Sequence, residues 1–243
     1  MKKCLKSLFL INNKTLGILW LLFASSALLL SGVLALVITL AKVPGIKELV
    51  QDLDWIRWCL TIHVNLATLV WFTAIPAGLV NFLAFHNAPK NSAARPLQIF
   101  GFLTSCVGVL LFISAWPSPD REVLMANYVP VVLHWQFFIG LGLYSLGLAM
   151  NYMSLRVLRP EHRETYLEIP GLSESGFGLW VGVIFYFAAL VTTAVGYFEL
   201  EGARAAFTLE YFEALMWGGG HLMQHSTSVF GLVAWVLVLS AIM

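Results

Sequence analysis

Charged side chains in this chain are confined to short intervals. Between them run six uncharged, mainly apolar stretches at residues 15–41, 58–89, 96–119, 123–155, 175–198 and 214–243. A helix needs about 20 residues to cross ~30 Å of hydrocarbon at ~1.5 Å per residue, and every stretch is longer than that. The pattern predicts an all-α, polytopic membrane bundle of six transmembrane helices. The first stretch far exceeds the apolar core of a signal peptide and is followed by no obvious cleavage site, so it reads as a helix. The connections are short. The longest, residues 156–174, mixes charges with Pro160 and Pro170 and reads as a loop. Pro76 lies inside the second stretch and predicts a kink there.

Composition agrees with the pattern. The 243 residues are 59% hydrophobic and 11% charged, against about 25% charged in a soluble domain. The charges that remain are distributed unevenly. Lys2, Lys3, Lys6 and Lys14 precede the first stretch, Lys90 and Arg95 separate the second from the third, and Arg156, Arg159 and Arg163 separate the fourth from the fifth. The opposite side carries Lys42, Lys47, Arg57, Arg121 and Arg204 among nine acidic residues. Basic loops favour the cytoplasmic face, so the N-terminus is expected to be cytoplasmic, in a multi-pass protein of the cell's inner (plasma) membrane. The lipid bilayer is the expected surrounding. No nucleic-acid partner is expected, and the net charge of +1 offers no reason to expect one. Cys4, Cys59 and Cys106 form no C-x-x-C pair and read as small apolar residues. Trp55, Trp58, Trp116, Tyr128, Tyr197 and Tyr211 fall near outer ends, where amphipathic rings favour the interface.

Histidine is the residue type that changes the picture. An imidazole inside a lipid-spanning helix is costly to desolvate, which makes it a candidate for function, and it is the commonest metal ligand. His63 lies roughly 10 Å below the expected outer end of its helix, reckoned from helical rise. It shares a face with the small residues Ala67, Ala74 and Gly78, which would let a flat group or another helix approach closely. His221 and His225 are one turn apart, a spacing that lets two helix histidines bind one metal. No glutamate lies between them. Three glycines, Gly218, Gly219 and Gly220, precede them and leave room for a bulky group. A hydrogen-bonded packing role remains open for each of the three histidines. His134 reads as a buried, satisfied histidine, His86 and His162 as loop residues, and Glu213 as interfacial or a proton-exchange group.

The stretches His63-Val64-Asn65 and Trp217-Gly218-Gly219-Gly220-His221 resemble the catalytic subunit of the haem-copper oxidase superfamily, which includes the nitric oxide reductases. The resemblance implies that His63 is an axial ligand of a low-spin haem. It implies further that His221, with His225, holds a non-haem metal, copper or iron, beside an active-site haem, making His221 and His225 the catalytic residues. The position of His225 is often tyrosine or glutamate in that family. Leu60 stands where the family often has arginine. The family's later helices, which supply its remaining histidines, have no counterpart here. Residues 1–243 therefore read as a single integral-membrane domain, the N-terminal half of a longer subunit. Its partners would be the missing half or other oxidase or reductase subunits, and a cytochrome c or quinol donor, with oxygen or nitric oxide as acceptor. Two rivals stand beside this reading: a non-catalytic haem- or copper-binding membrane subunit, and a di-haem electron-transfer cytochrome.

Overall fold

The computed structural model of the protein describes residues 12–46, 53–87, 94–116, 122–153, 172–200 and 207–242, and these are predominantly helical. The first apolar stretch becomes α1 (Asn13–Leu40), opened by Asn12, whose side chain accepts from the Thr15 amide at 2.7 Å. Such a cap satisfies an amide that the first helical turn leaves without a partner. The second stretch becomes α2 (Leu53–Val64), a π-helical segment (Asn65–Val70) and α3 (Trp71–Asn87), which follow one another without a break. Then come α4 (Ala94–Ser114), α5 (Trp135–Met153), α6 (Leu172–Glu199) and α7 (Leu209–Ile242).

Five helical runs among the described residues are long and apolar enough to cross a membrane: Asn13–Leu40, Asp54–Phe82, Arg95–Ser114, Ser175–Glu199 and Leu209–Ser240. Their outward faces are apolar too. Leu29, Leu110, Ile184, Leu232 and Trp235 are all more than 60% exposed, as a hydrocarbon solvent would require. The fourth stretch departs from expectation. It is not one helix but an antiparallel hairpin of β1 (Val123–Leu124) and β2 (Val131–Val132), followed by α5. The 19 residues of α5 include the polar side chains of Gln136, Tyr144, Ser145, Asn151 and Tyr152, and α5 is not among the five.

The lysines, arginines and acidic residues at 2–6, 47–52, 90, 120–121, 156–163 and 201–204, which carry much of the expected orientation, lie outside the described residues, as do Cys4, His162 and most of the 156–174 connection.

Glycine fixes how closely the helices approach. On α1 and α3, Gly17 and Gly78 face each other: a Cβ added to either would lie 3.2 Å from the other's carbonyl oxygen. The small-residue face below His63 is thus filled by a helix. On α4 and α5, Gly101 meets Gly147 and Gly108 meets Gly140, so two glycines seven residues apart on one helix oppose two on the antiparallel partner. In a membrane, where burial against lipid gives little driving force between helices, such backbone contact supplies the packing. On α6 and α7, Gly178 receives Val233 and Gly182 receives Phe230, while Ser226 Oγ donates to the Gly182 carbonyl at 2.8 Å.

Polar side chains bridge the rest. Tyr144 donates to the Val70 carbonyl at 3.0 Å and lies 2.6 Å from Thr73 Oγ1, and Tyr152 donates to the Thr73 carbonyl at 2.6 Å. These bonds hold α5 against the end of the π segment and the start of α3, just before Pro76, which has no N–H to give the ladder.

The glycine contacts yield a test with an internal control. A Cβ at Gly108 would sit 2.6 Å from the Gly140 oxygen, whereas one at Gly142, on α5, meets nothing within 4 Å. Gly108→Ala should destabilise the bundle by about 1–3 kcal/mol, the usual cost of overpacking, and Gly142→Ala should not. Thermal unfolding midpoints in detergent check this, and equal midpoints for the two variants would contradict the close α4–α5 approach.

Candidate functional site

His63 is the penultimate residue of α2, two residues before the π segment begins at Asn65. Its Nδ1 lies 2.9 Å from the carbonyl oxygen of Ser31 and 2.8 Å from the Ser31 hydroxyl, on the facing helix α1. A carbonyl only accepts, so the tautomer that satisfies the group carries its proton on Nδ1. The Ser31 hydroxyl in turn donates to the His63 carbonyl at 3.1 Å. Ser31 is buried and His63 half-buried. No described residue bonds Nε2, which keeps its lone pair.

Asn65, two residues on, is fully buried and has a structural task. Its Nδ2 donates to the Thr61 carbonyl at 2.9 Å and to the Pro130 carbonyl at 2.8 Å. Pro130 belongs to the loop between β1 and β2, so Asn65 fastens the hairpin to the second helical run. That loop carries Tyr128 to α7. Tyr128 has φ +69°, and the Val129 amide donates to the Asn127 carbonyl at 2.9 Å across it. This is the γ-turn of positive φ, which is rare and strained. The tyrosine ring lies against Gly220, where a Cβ would come 2.8 Å from the Tyr128 Cβ. The room left by the glycines is therefore occupied in part by Tyr128, while Gly219 admits Ala189 and Thr193 of α6.

The Tyr128 hydroxyl reaches the His221 ring, 2.9 Å from Nε2 and 3.0 Å from Nδ1. His221 Nδ1 lies 2.7 Å from the Trp217 carbonyl, one turn back. The same reasoning places the proton on Nδ1, and Nε2 then accepts from the phenol. The tyrosine and Trp217 rings flank the imidazole at centroid separations of 5.0 and 4.7 Å. His225 is exposed and turns elsewhere: its ring lies 5.6 Å from that of Phe185 on α6. Among the described residues no three His, Cys, Asp or Glu side chains come together as a metal-holding group.

A cavity of about 780 Å³ opens beside this pair, between the His63-bearing run and α7. Val64, Thr68 and Leu69 form one wall; Trp217, Gly220 and Gln224 form the other, with Tyr128 and Glu213 at one end. Asn127 donates to Glu213 Oε1 at 3.1 Å, so the carboxylate also ties the hairpin to α7.

The two histidine motifs read from the sequence are thus joined through one hairpin, although His63 and His221 share no bonding partner. His134 stands just before α5, where its carbonyl accepts from the Phe137 amide at 3.0 Å and its Nδ1 from the Gln136 amide at 3.3 Å. It begins a helix rather than sitting inside one. His86 falls near the end of α3. Sequence reasoning missed Ser31 and the partnership of Tyr128 with His221. Ser31 sits in an apolar run with nothing to mark it, and Tyr128 read as an interface aromatic.

The chain is similar to an uncharacterised protein of Aquifex aeolicus (strain VF5), 28% identical over 223 residues, 91% of this chain and 53% of that one. It is also similar to the uncharacterised protein RP382 of Rickettsia prowazekii (strain Madrid E), 22% identical over 256 aligned residues, 95% of this chain and 48% of that one. It spans about half the length of the curated relatives it matches. No protein-family model matches the chain, and no solved structure matches it.

The phenol–imidazole bond can be tested alone. Tyr128→Phe keeps the ring on Gly220 and leaves Nε2 without its donor, so stability should fall by about 0.5–1.5 kcal/mol, the net worth of such a bond. The ¹⁵N signals of the His221 imidazole should move as well. Unaltered signals would mean that the phenol does not bond this ring.

Proposed function

We propose that this chain is the membrane-embedded, haem-binding part of a respiratory oxidoreductase, of the kind that passes electrons from cytochrome c or a quinol to oxygen or nitric oxide. The observation that carries the reading is the hydrogen bonding of His63. Metal-bound imidazoles commonly donate their second nitrogen to a backbone carbonyl, which fixes the tautomer and ring orientation and raises ligand basicity. The Nδ1 proton on the Ser31 carbonyl, with Nε2 unengaged among the described residues, fits an axial ligand of haem iron. Bound there, haem would supply reversible one-electron chemistry. Ser31 would hold the imidazole, and Asn65 would hold the turn beside it.

The second helix-7 pair fits a metal less well. Both His221 nitrogens are engaged, His225 faces Phe185, and among the described residues no group of three His, Cys, Asp or Glu side chains forms. A structural or catalytic metal of this kind takes at least three protein ligands. The described residues therefore do not make a complete non-haem centre, and no step is derived through one. That observation favours a second reading, a haem-only electron-transfer subunit. In the oxidase reading, donors outside the described residues complete the set around His221 and His225.

Six spans with a cytoplasmic N-terminus belong to the same proposal, with α5 as the sixth. It rests on the basic residues of the 90–95 and 156–163 intervals. Reporters placed after Lys90 and after Arg159 should then label from the cytoplasm, and one near Arg121 from outside. Labelling of the Arg121 position only in opened cells would reverse the orientation.

The ligand assignments separate by variant. His63→Ala, made in the complete protein, should insert normally and lose the low-spin haem absorbance; an unchanged spectrum removes His63 from the iron. Loss of a non-haem metal in His221→Ala, with retention in His225→Gln, supports the oxidase reading. Wild-type protein that carries haem but neither copper nor non-haem iron decides for electron transfer alone.

A further inference from the structure

Of the five membrane-crossing runs, α7 is the least covered: 17% of its apolar stretch is buried, against 56% for the run that carries His63. One face, with Ser226, Phe230 and Val233, is taken up by Gly178 and Gly182 of α6. The opposite face repeats in alternating steps of four and three residues: Trp217, His221, Gln224, Ser228, Gly231 and Trp235. None of the six is buried. A sustained 3.5-residue repeat is the seam of a left-handed coiled coil, the commonest way for membrane helices to cross. Contact with lipid alone does not account for what the seam carries. Gln224 lies midway along Leu209–Ser240, about 22 Å of helix from either end. Gln224 and Ser228 are exposed, and no described residue bonds either side chain. Hydrocarbon offers an amide or a hydroxyl no partner, so at this depth another protein surface must supply one.

We infer that the seam joins α7 to the α7 of a second copy of this chain. Two copies enter the membrane the same way up, so their α7 helices run parallel about a two-fold axis along the membrane normal. In a parallel coil each layer of the seam brings identical residues together. Glutamine and serine side chains each donate and accept, so Gln224 bonds Gln224 and Ser228 bonds Ser228 across the axis. A seam of like charges could not pair with itself. Size completes the match. A Cβ added to Gly231 meets nothing within 4 Å, and the bare backbone there leaves room for the Trp235 indole of the other copy, from the next layer. The paired helices also close off from lipid the cavity beside Tyr128, which Trp217 and Gln224 line. The inference goes beyond the haem reading and does not depend on it.

Cysteine scanning of the complete protein in native membranes reads the seam directly. Cys4, Cys59 and Cys106 are first changed to alanine, and variants with one new cysteine are oxidised and run on non-reducing gels. Gln224→Cys, Ser228→Cys and Gly231→Cys should each give a covalent dimer of the chain. Val236→Cys, exposed but off the seam, should stay monomeric. Gln224→Leu keeps the helix and removes a bond across the axis. It should raise the dimer dissociation constant in mild detergent about three- to tenfold, the worth of an interhelical hydrogen bond in a membrane. Cross-linking at Val236 as strong as at Ser228 would mean random collision and overturns the assignment. A wild-type mass of one copy overturns it too; shielding of Gln224→Cys from a maleimide would then place a different segment or subunit on the seam. His63→Ala should dimerise like the wild type, so failure of the haem assignment and failure of this one are separable.

Discussion

A polar group buried in a bundle that faces hydrocarbon has only other protein groups to bond, and the tertiary structure of this chain follows from where those bonds fall. Asn65 is the central case. Its amide donates at once to its own helix and to Pro130, and the second bond brings the β1–β2 hairpin down onto the helix bundle. The hairpin then delivers Tyr128 to Gly220 and His221, and Asn127 to Glu213. Asn65 shares that anchoring with Thr61, whose Oγ1 donates to Met125 Sδ in the same loop at 3.5 Å. Ser31 and His63 make the corresponding bond between α1 and α2. Tyr144 and Tyr152 make it from α5 to the π segment and to α3.

Glycine determines which of those bonds can be reached. The Gly17–Gly78 contact draws α1 onto α3, and the doubled Gly101–Gly147 and Gly108–Gly140 contacts draw α4 onto α5. Such closeness lets a short side chain reach a carbonyl on the next helix, as Ser105 Oγ does in donating to the Tyr144 carbonyl at 3.2 Å across the α4–α5 contact. The two effects are therefore not independent. Removing Cβ costs helix propensity, about 1 kcal/mol at each glycine relative to alanine, and the packing and hydrogen bonds gained across the interface offset it.

The helices themselves were largely legible in the sequence, because absence of charge over 24 residues or more is a strong local signal. Four of the predicted stretches coincide with helices to within a few residues at most ends, and the second was interrupted by a π segment that no hydropathy pattern encodes. The fourth misled for a physical reason. Residues 123–132 are uncharged and apolar, and charge content alone does not distinguish a buried hairpin from the first turns of a helix; Pro130 and Asn127 were the only local hints of a turn. At the site, His63, His221 and His225 stood out because imidazole is rare in such surroundings. Their partners did not. Ser31 and Tyr128 lie 32 and 93 residues away from the histidines they bond, and nothing local predicts a bond over that separation.

The two buried-side histidines share a tautomer and differ in what happens at the other nitrogen. His63 keeps Nε2 unengaged among the described residues, whereas a phenol occupies Nε2 of His221. That phenol is held by a backbone in an unfavourable region, at φ +69°. A strained residue of this kind stores about 1–3 kcal/mol, while the hydrogen bond it makes is worth about 0.5–1.5 kcal/mol net. Withdrawing Tyr128 from His221 would release strain of the same order as the bond it breaks. The strain and the bond are of similar size, so the packing of the Tyr128 ring on Gly220 and on the imidazole weighs in what keeps the phenol in place. Asn65 anchors the loop two residues beyond Tyr128, Asn127 one residue before it donates to Glu213, and the Tyr128 ring packs on Gly220 as well as on the imidazole.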